Sequence, residues 1–169
     1  MPKVALNDTN ILIDFYEIGL LDALMEIDLE MHTTDFVVAE LVVEEQLDWL
    51  EELIEGRKLL VSGFSGEEIF ELMEKEIKNP GLSLTDCSAW QWAEKNNGIL
   101  LTGDAQLRRV AKKNGVEVHG SIWLMDELLR QGILTEAQAC QAIKKLRTKN
   151  RRLPKREMDK REKLWCASA

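Results

Sequence analysis

Residues 83–118, SLTDCSAWQWAEKNNGILLTGDAQLRRVAKKNGVEV, decide how this chain folds. Ser83-Leu84-Thr85-Asp86 is a box of the S-x-x-[DE] kind and opens a helix that runs to Lys95. Ile99-Leu100-Leu101 reads as a short strand, residues 105–113 as a helix, and Val116-Glu117-Val118 as another strand. Strands separated by helices imply βαβ crossovers, and so a parallel sheet.

The same alternation extends toward the N-terminus. Val4-Ala5-Leu6 is a strand that ends in the turn and helix-start cluster Asn7-Asp8-Thr9-Asn10. Ile11, Leu12 and Phe15, then Leu20, Leu21 and Leu24, recur at helical spacing, with Gly19 dividing two short helices. Residues 29–33 and 58–64 read as the second and third strands. Between them one helix is expected, capped by Thr34 or Asp35, with Val43, Leu47, Leu50 and Ile54 in helical register until Gly56. Residues 66–77 form a further helix ended by Asn79-Pro80-Gly81. The expected class is α/β, a three-layer α/β/α sandwich with a mainly parallel five-stranded sheet, plus C-terminal helices over 121–131, 135–147 and 154–165. The last two have no strand partner, so the expected division is a domain over 1–131 and a helical extension over 132–169 with a basic C-terminal segment.

Composition narrows the functional classes. At 169 residues, 45% hydrophobic and 31% charged, the chain can bury a real core, which excludes disorder throughout. No apolar run approaches the ~18 residues of a membrane span. The N-terminus passes straight into strand-like sequence without the apolar run of a signal peptide. Cys87, Cys140 and Cys166 are odd in number and far apart, which fits neither a disulfide framework nor a zinc site and points to a reducing cytoplasm. Residues 144–163 carry eleven Lys/Arg against three acids, a net of +8 in a chain of net −8, so residues 1–143 carry −16. An acidic body repels nucleic acid, whereas the basic tail attracts it or stays solvated.

Open parallel sheets bind ligands at the carboxyl ends of their strands. There this chain places Asp8 after the first strand and Asp104 after Thr102-Gly103 behind the fourth; Glu40 lies in the helix after the second, and Asp86 in the first turn of the helix leading into the fourth. Taken singly, Asp8, Asp86 and Asp104 also suit helix caps or turns. Glu40, set among Val37, Val38, Ala39, Leu41 and Val42, is an acid in an apolar run that needs a partner. Four clustered carboxylates raise one another's pKa unless a cation offsets them, and Mg²⁺ or Mn²⁺ is the hard ion that a few carboxylates, waters and phosphate oxygens hold. One or two such ions, ~4 Å apart if two, would activate water against a phosphodiester.

In this order, Asp8-Thr9-Asn10-Ile11-Leu12-Ile13-Asp14, Val38-Ala39-Glu40-Leu41, Leu84-Thr85-Asp86-Cys87 and Leu101-Thr102-Gly103-Asp104 resemble PIN-domain nucleases over about residues 3–130. The resemblance implies a metal-dependent, usually RNA-directed endonuclease, often the toxin of a toxin–antitoxin pair. Its four acids fall on Asp8, Glu40, Asp86 and Asp104, its polar partner after the first acid on Asn10, and its Ser/Thr before the last acid on Thr102. Gly103 stands where many relatives carry a polar or basic residue. Arg108 and Arg109, one turn into the following helix, are the arginines best placed for substrate phosphate. The segment from Ser121 onward, with Arg151-Arg152-Leu153-Pro154, resembles a PIN subgroup with a longer helical end.

Two other classes compete. A phosphatase of the haloacid dehalogenase type would use Asp8 as nucleophile, but needs acids where Asn10 and Arg108 stand. A PIN-like RNA-binding or scaffolding subunit would keep the fold without the cleavage. An antitoxin that blocks the carboxylates with a basic side chain, and a homodimer, are the expected partners beside RNA. His32 and His119 read as structural or solvated, and Trp90 and Trp92 as straddling opposite faces of their helix, one in the core and the other facing a partner or packing at an edge, with base stacking the lesser option.

Overall fold

A computed structural model describes residues 3–41, 44–149 and 152–167. In chain order the elements are β1 (Lys3–Asn7), α1 (Thr9–Glu17), α2 (Leu21–Met25), β2 (Leu29–Thr34), α3 (Asp35–Glu40), α4 (Glu44–Glu55), β3 (Leu60–Ser62) and α5 (Gly66–Lys78). There follow α6 (Leu84–Lys95), β4 (Ile99–Leu101), α7 (Ala105–Lys113), β5 (Glu117–His119), α8 (Ser121–Arg130), α9 (Glu136–Lys149) and α10 (Lys155–Trp165). The five strands form one sheet in the order β3-β2-β1-β4-β5, and every neighbouring pair is parallel. The α/β class and parallel sheet read from the sequence are what the chain adopts.

The chain makes two compact units. One comprises Met1–Asn10 and Asp28–His119, the other Ile11–Ile27 and Gly120–Ala169. The first holds the sheet. Its order reverses beside β1, whose neighbours are β2 and β4, so the ends of β1 and β4 form the switch point where such sheets bind ligands. Gly98 lets the chain enter β4, because a Cβ there would lie 3.0 Å from Val4 Cγ2 and 3.3 Å from the Trp92 ring.

Helix α6 is the centre of that unit. It packs on β1, β2 and β4 and is flanked by α3, α5 and α7. Every residue from Cys87 to Ala93 is buried. A helix surrounded on all sides buries both Trp90 and Trp92, which leaves packing and not a partner-facing position for the second of them. Trp92 donates from Nε1 to Ser62 Oγ at 2.9 Å and stacks on His32 at 4.5 Å, while the Lys75 ammonium sits 4.1 Å from the Trp90 ring centroid.

Two further expectations are corrected. The helix expected from Thr34 or Asp35 to Gly56 is two helices, because Leu41 leaves helical geometry at φ −79°, ψ 102°. Glu40 therefore ends a six-residue helix instead of lying inside a long one. Val43, expected on the helix face, lies outside the described residues, as does Arg151. The second correction concerns the thiols. Cys140 and Cys166 form a disulfide, leaving Cys87 as the free and buried cysteine. Antiparallel packing of α9 and α10 brings two residues 26 apart in sequence to a Cα separation of 5.0 Å, within bonding range.

In the second unit, α2 packs on α8, α8 on α9, and α9 on α10. Gly120 offers α8 no capping side chain, and buried Asp14 of α1 accepts the Ser121 hydroxyl at 3.0 Å, which sets a negative charge beside the start of that helix. Gly19, at φ +75°, makes the turn between α1 and α2.

Candidate active site

Asp8 follows β1 directly, and its backbone N–H still bonds the Leu101 carbonyl at 3.0 Å, so the ladder between β1 and β4 fixes its position. Its side chain is buried, 3% exposed. Both carboxylate oxygens are held: Oδ1 accepts the Thr9 N–H at 2.8 Å and Oδ2 the Thr102 hydroxyl at 2.7 Å. The Thr102 hydroxyl accepts the Asp104 N–H at 3.1 Å, which orients its proton toward Asp8. Thr102 thus joins Asp8 to the start of α7.

Asp86 and Asp104 are positioned by helix starts. Asp86 completes a reciprocal capping box with Ser83, its Oδ2 accepting the Ser83 N–H at 2.8 Å while Ser83 Oγ accepts the Asp86 N–H at 3.1 Å. Asp104 caps α7, with Oδ1 accepting the Leu107 N–H at 2.7 Å. These bonds leave Asp86 Oδ1 and Asp104 Oδ2 outside the caps. A cap and a ligand are therefore compatible duties for one carboxylate.

Glu40 is exposed at the end of α3, where the helix dipole disfavours a negative charge. Thr9 holds it, donating from Oγ1 to Oε2 at 3.0 Å. Helix α3 is itself fixed by a buried hydroxyl network: Thr34 caps it by accepting the Val37 N–H, pairs with Ser88 Oγ at 2.8 Å, and Ser88 donates to the Thr85 carbonyl at 2.7 Å. That network ties the helix bearing Glu40 to the helix bearing Asp86. Thr9 is the residue that reading the sequence missed. The signal available was its place between Asp8 and Asn10, but only folding brings it to Glu40.

The four acids feel one another. Burial pushes the Asp8 carboxyl up to about 6; the Thr102 and Thr9 bonds oppose this, and the charges of Asp86 and Glu40 reinforce it. Asp86 is also raised, chiefly by burial, with Asp104 and Glu40 adding to it against the Ser83 bonds. Arg108, half-buried on α7, gives its Nη1 to the Thr102 carbonyl at 2.9 Å, and burial lowers its pKa. Arg109 is exposed on the same helix, and Asn10 is exposed at the second position of α1. A Cβ at Gly103 would meet no atom within 4 Å, so the approach beside Thr102 is open.

Among the described residues, no group of three or more acidic, imidazole or thiol side chains is arranged closely enough to hold a metal ion. The donor set nevertheless fits a hard divalent cation. It consists of carboxylate oxygens, includes a buried carboxylate destabilised by its neighbours, and resembles the sparse protein shell of Mg²⁺, which keeps several waters.

The crystal structure of PAE2754 from Pyrobaculum aerophilum is similar over 78% of this chain and 98% of its own, at 16% identity and a TM-score of 0.49. No curated protein sequence matches. Among the described residues no helix is long and apolar enough to cross a membrane. The model of the PIN-domain family DUF3368 matches residues 4–165, nearly the whole sequence, and the chain accordingly belongs to the PIN-domain family, whose fold is of nuclease type.

Proposed function

We propose that the chain is a Mg²⁺- or Mn²⁺-dependent endoribonuclease, with Asp8, Glu40, Asp86 and Asp104 as its cation-binding acids. The observation that carries this reading is the buried Asp8 carboxylate, raised to about 6 at the switch point of the sheet with two other acids pressing on it. A protein built only for stability would replace such a group or pair it with a cation. When bound, the metal ion supplies charge neutralisation and water activation for in-line hydrolysis of an RNA phosphodiester.

The chain's own residues do the rest. Thr102 and the Thr9 N–H hold Asp8 in one orientation and favour its charged form. Thr9 holds Glu40 against the unfavourable end of its helix. The caps aim Asp86 and Asp104 with one oxygen and leave the other for a ligand. Asn10, two residues after Asp8, is the polar partner that supports that acid. Arg109 meets substrate phosphate from α7, and Arg108 stiffens the loop through the Thr102 carbonyl.

As part of the same proposal, the protein is a toxin blocked by an antitoxin that inserts a basic side chain among the acids, and it forms a homodimer. Segment 132–169 serves as its helical extension. A cytoplasmic setting belongs to this reading, and there the Cys140–Cys166 bond faces reducing agents, so both redox forms are to be assayed.

The test is cleavage of end-labelled single-stranded RNA in Mn²⁺ or Mg²⁺, beside an EDTA control and Asp86→Asn. Metal-dependent cutting that disappears in the variant is the expected result. Equal cutting by the variant, or none by either protein, removes the nuclease reading in favour of a binding subunit.

A further inference from the structure

The body of this chain repels the polyanion it is proposed to cut, and the hairpin of α9 and α10 carries the opposite charge. Within residues 144–163 the acids are Glu157, Asp159 and Glu162, and all three are engaged by two partly buried arginines. Arg147 bonds Asp159 at 2.8 Å and Glu162 at 2.6 Å; Arg161 bonds Glu157 and, at 2.9 Å, Asp126 of α8. Nothing acidic within the segment is left to offset its remaining cations.

Seven of those cations are exposed on the two helices. Lys144, Lys145 and Lys149 are exposed on α9, and Lys155, Arg156, Lys160 and Lys163 on α10. Among the described residues none of them joins an ion pair. On α10 the spacing sorts the faces: Arg156, Lys160 and Lys163 follow i, i+4, i+7 along one side, while Met158 and Trp165 are buried on the opposite side. The disulfide between Cys140 and Cys166 and the Arg147 pairs hold α10 against α9, so the basic stripe is displayed on a fixed scaffold.

We propose that the α9–α10 hairpin is a phosphate-binding surface for single-stranded RNA, which anchors the substrate strand electrostatically against the repulsion of the acidic body. Its ligand is the sugar–phosphate backbone, bound without base readout, because the stripe offers charges and no exposed aromatic ring. The choice of RNA rests on the nuclease reading; the surface itself rests on the hairpin's charge and exposure.

The experiment measures fluorescence anisotropy of a 5′-labelled 15-nucleotide oligouridylate in EDTA between 50 and 200 mM KCl. It compares the full chain, the variant Lys144→Gln/Lys145→Gln/Lys160→Gln/Lys163→Gln, and Asp86→Asn. The quadruple variant is expected to bind at least tenfold more weakly at low salt, with a salt slope shallower by roughly 3 at about 0.7 per phosphate contact. Asp86→Asn is expected to bind at least as well as the unaltered chain. If the quadruple variant binds as tightly as the unaltered chain, or the unaltered chain does not bind, the proposal is overturned. Hairpin-dependent binding without any Mn²⁺-dependent cleavage keeps the surface and removes the nuclease reading. A variant that keeps RNA binding but loses a dimer in sedimentation overturns the proposal and assigns the stripe to the acidic body of a second copy.

Discussion

The carboxylate cluster and the α9–α10 hairpin treat charge in opposite ways. In segment 144–163 of the hairpin each acid meets an arginine, and Lys144, Lys145, Lys149, Lys155, Arg156, Lys160 and Lys163 are exposed. At the candidate site the charges of Asp86 and Glu40 bear on Asp8 and those of Asp104 and Glu40 on Asp86, while Arg108 on the adjacent helix bonds a backbone carbonyl. The groove between α5 and α6 follows the hairpin's rule, with Lys75 on Glu94 and Lys95 on Glu68 and Glu71. In these two places opposite charges are paired locally, whereas the acids near the switch point of the sheet are not, which is the pattern expected of a binding site.

The contrast is broken most forcefully at Asp8. Its folded pKa of about 6 lies above the ordinary 3.8, so the folded state holds the proton more tightly than the unfolded state. The resulting penalty is absent below pH 4 and fully present above pH 6, where it is about 3 kcal/mol. Asp8→Asn is therefore expected to abolish metal-dependent cleavage yet stabilise the metal-free protein near neutral pH. Urea unfolding in EDTA from pH 4 to pH 7.5 checks this: the advantage of the variant should grow as pH rises through that window.

The hairpin is expected to fail in the opposite sense. Removing its bond with Cys140→Ser frees a loop of 26 residues and lowers stability by about 3 kcal/mol under non-reducing conditions. Dithiothreitol should bring the unaltered chain to the same unfolding midpoint and leave the variant unmoved.

A smaller effect sharpens the account of the site. Thr9→Val removes the hydroxyl that holds Glu40 and should weaken Mn²⁺ affinity by about tenfold, while Thr9→Ser restores it. The metal-free melting temperature, which a purely structural role would move, should stay nearly constant. The smallest effect is expected at Gly103. Its Cβ position is open, so Gly103→Ala should change stability by less than about 0.5 kcal/mol.

What the sequence shows of this molecule depends on the range of the interaction involved. Ser83 and Asp86 are three residues apart, and their capping box is legible without a structure. The strands at Val4-Ala5-Leu6 and Ile99-Leu100-Leu101 are legible as apolar runs beside turn signals, and their alternation with helices yields the parallel sheet. The break at Leu41 is not legible, because the apolar run around Glu40 keeps a helical period across it. Nor is the burial of both Trp90 and Trp92, which comes from helices on every side of α6. The bond between Cys140 and Cys166 needs the hairpin to exist before their spacing acquires meaning. The candidacy of Asp8, Glu40, Asp86 and Asp104 is legible from their places along the βα alternation and from the family resemblance. Thr9 escaped because its partner is 31 residues away and its role appears only when α3 comes to rest beside it.

The central claim is that mutual repulsion among the four carboxylates is relieved by a divalent cation. Calorimetric titration of the purified chain with Mn²⁺ at pH 7, beside Asp8→Asn, tests it most directly. Saturable binding to the unaltered chain, weakened at least tenfold in the variant, is the predicted result. Equal binding by the two proteins, or no binding by either, would contradict it.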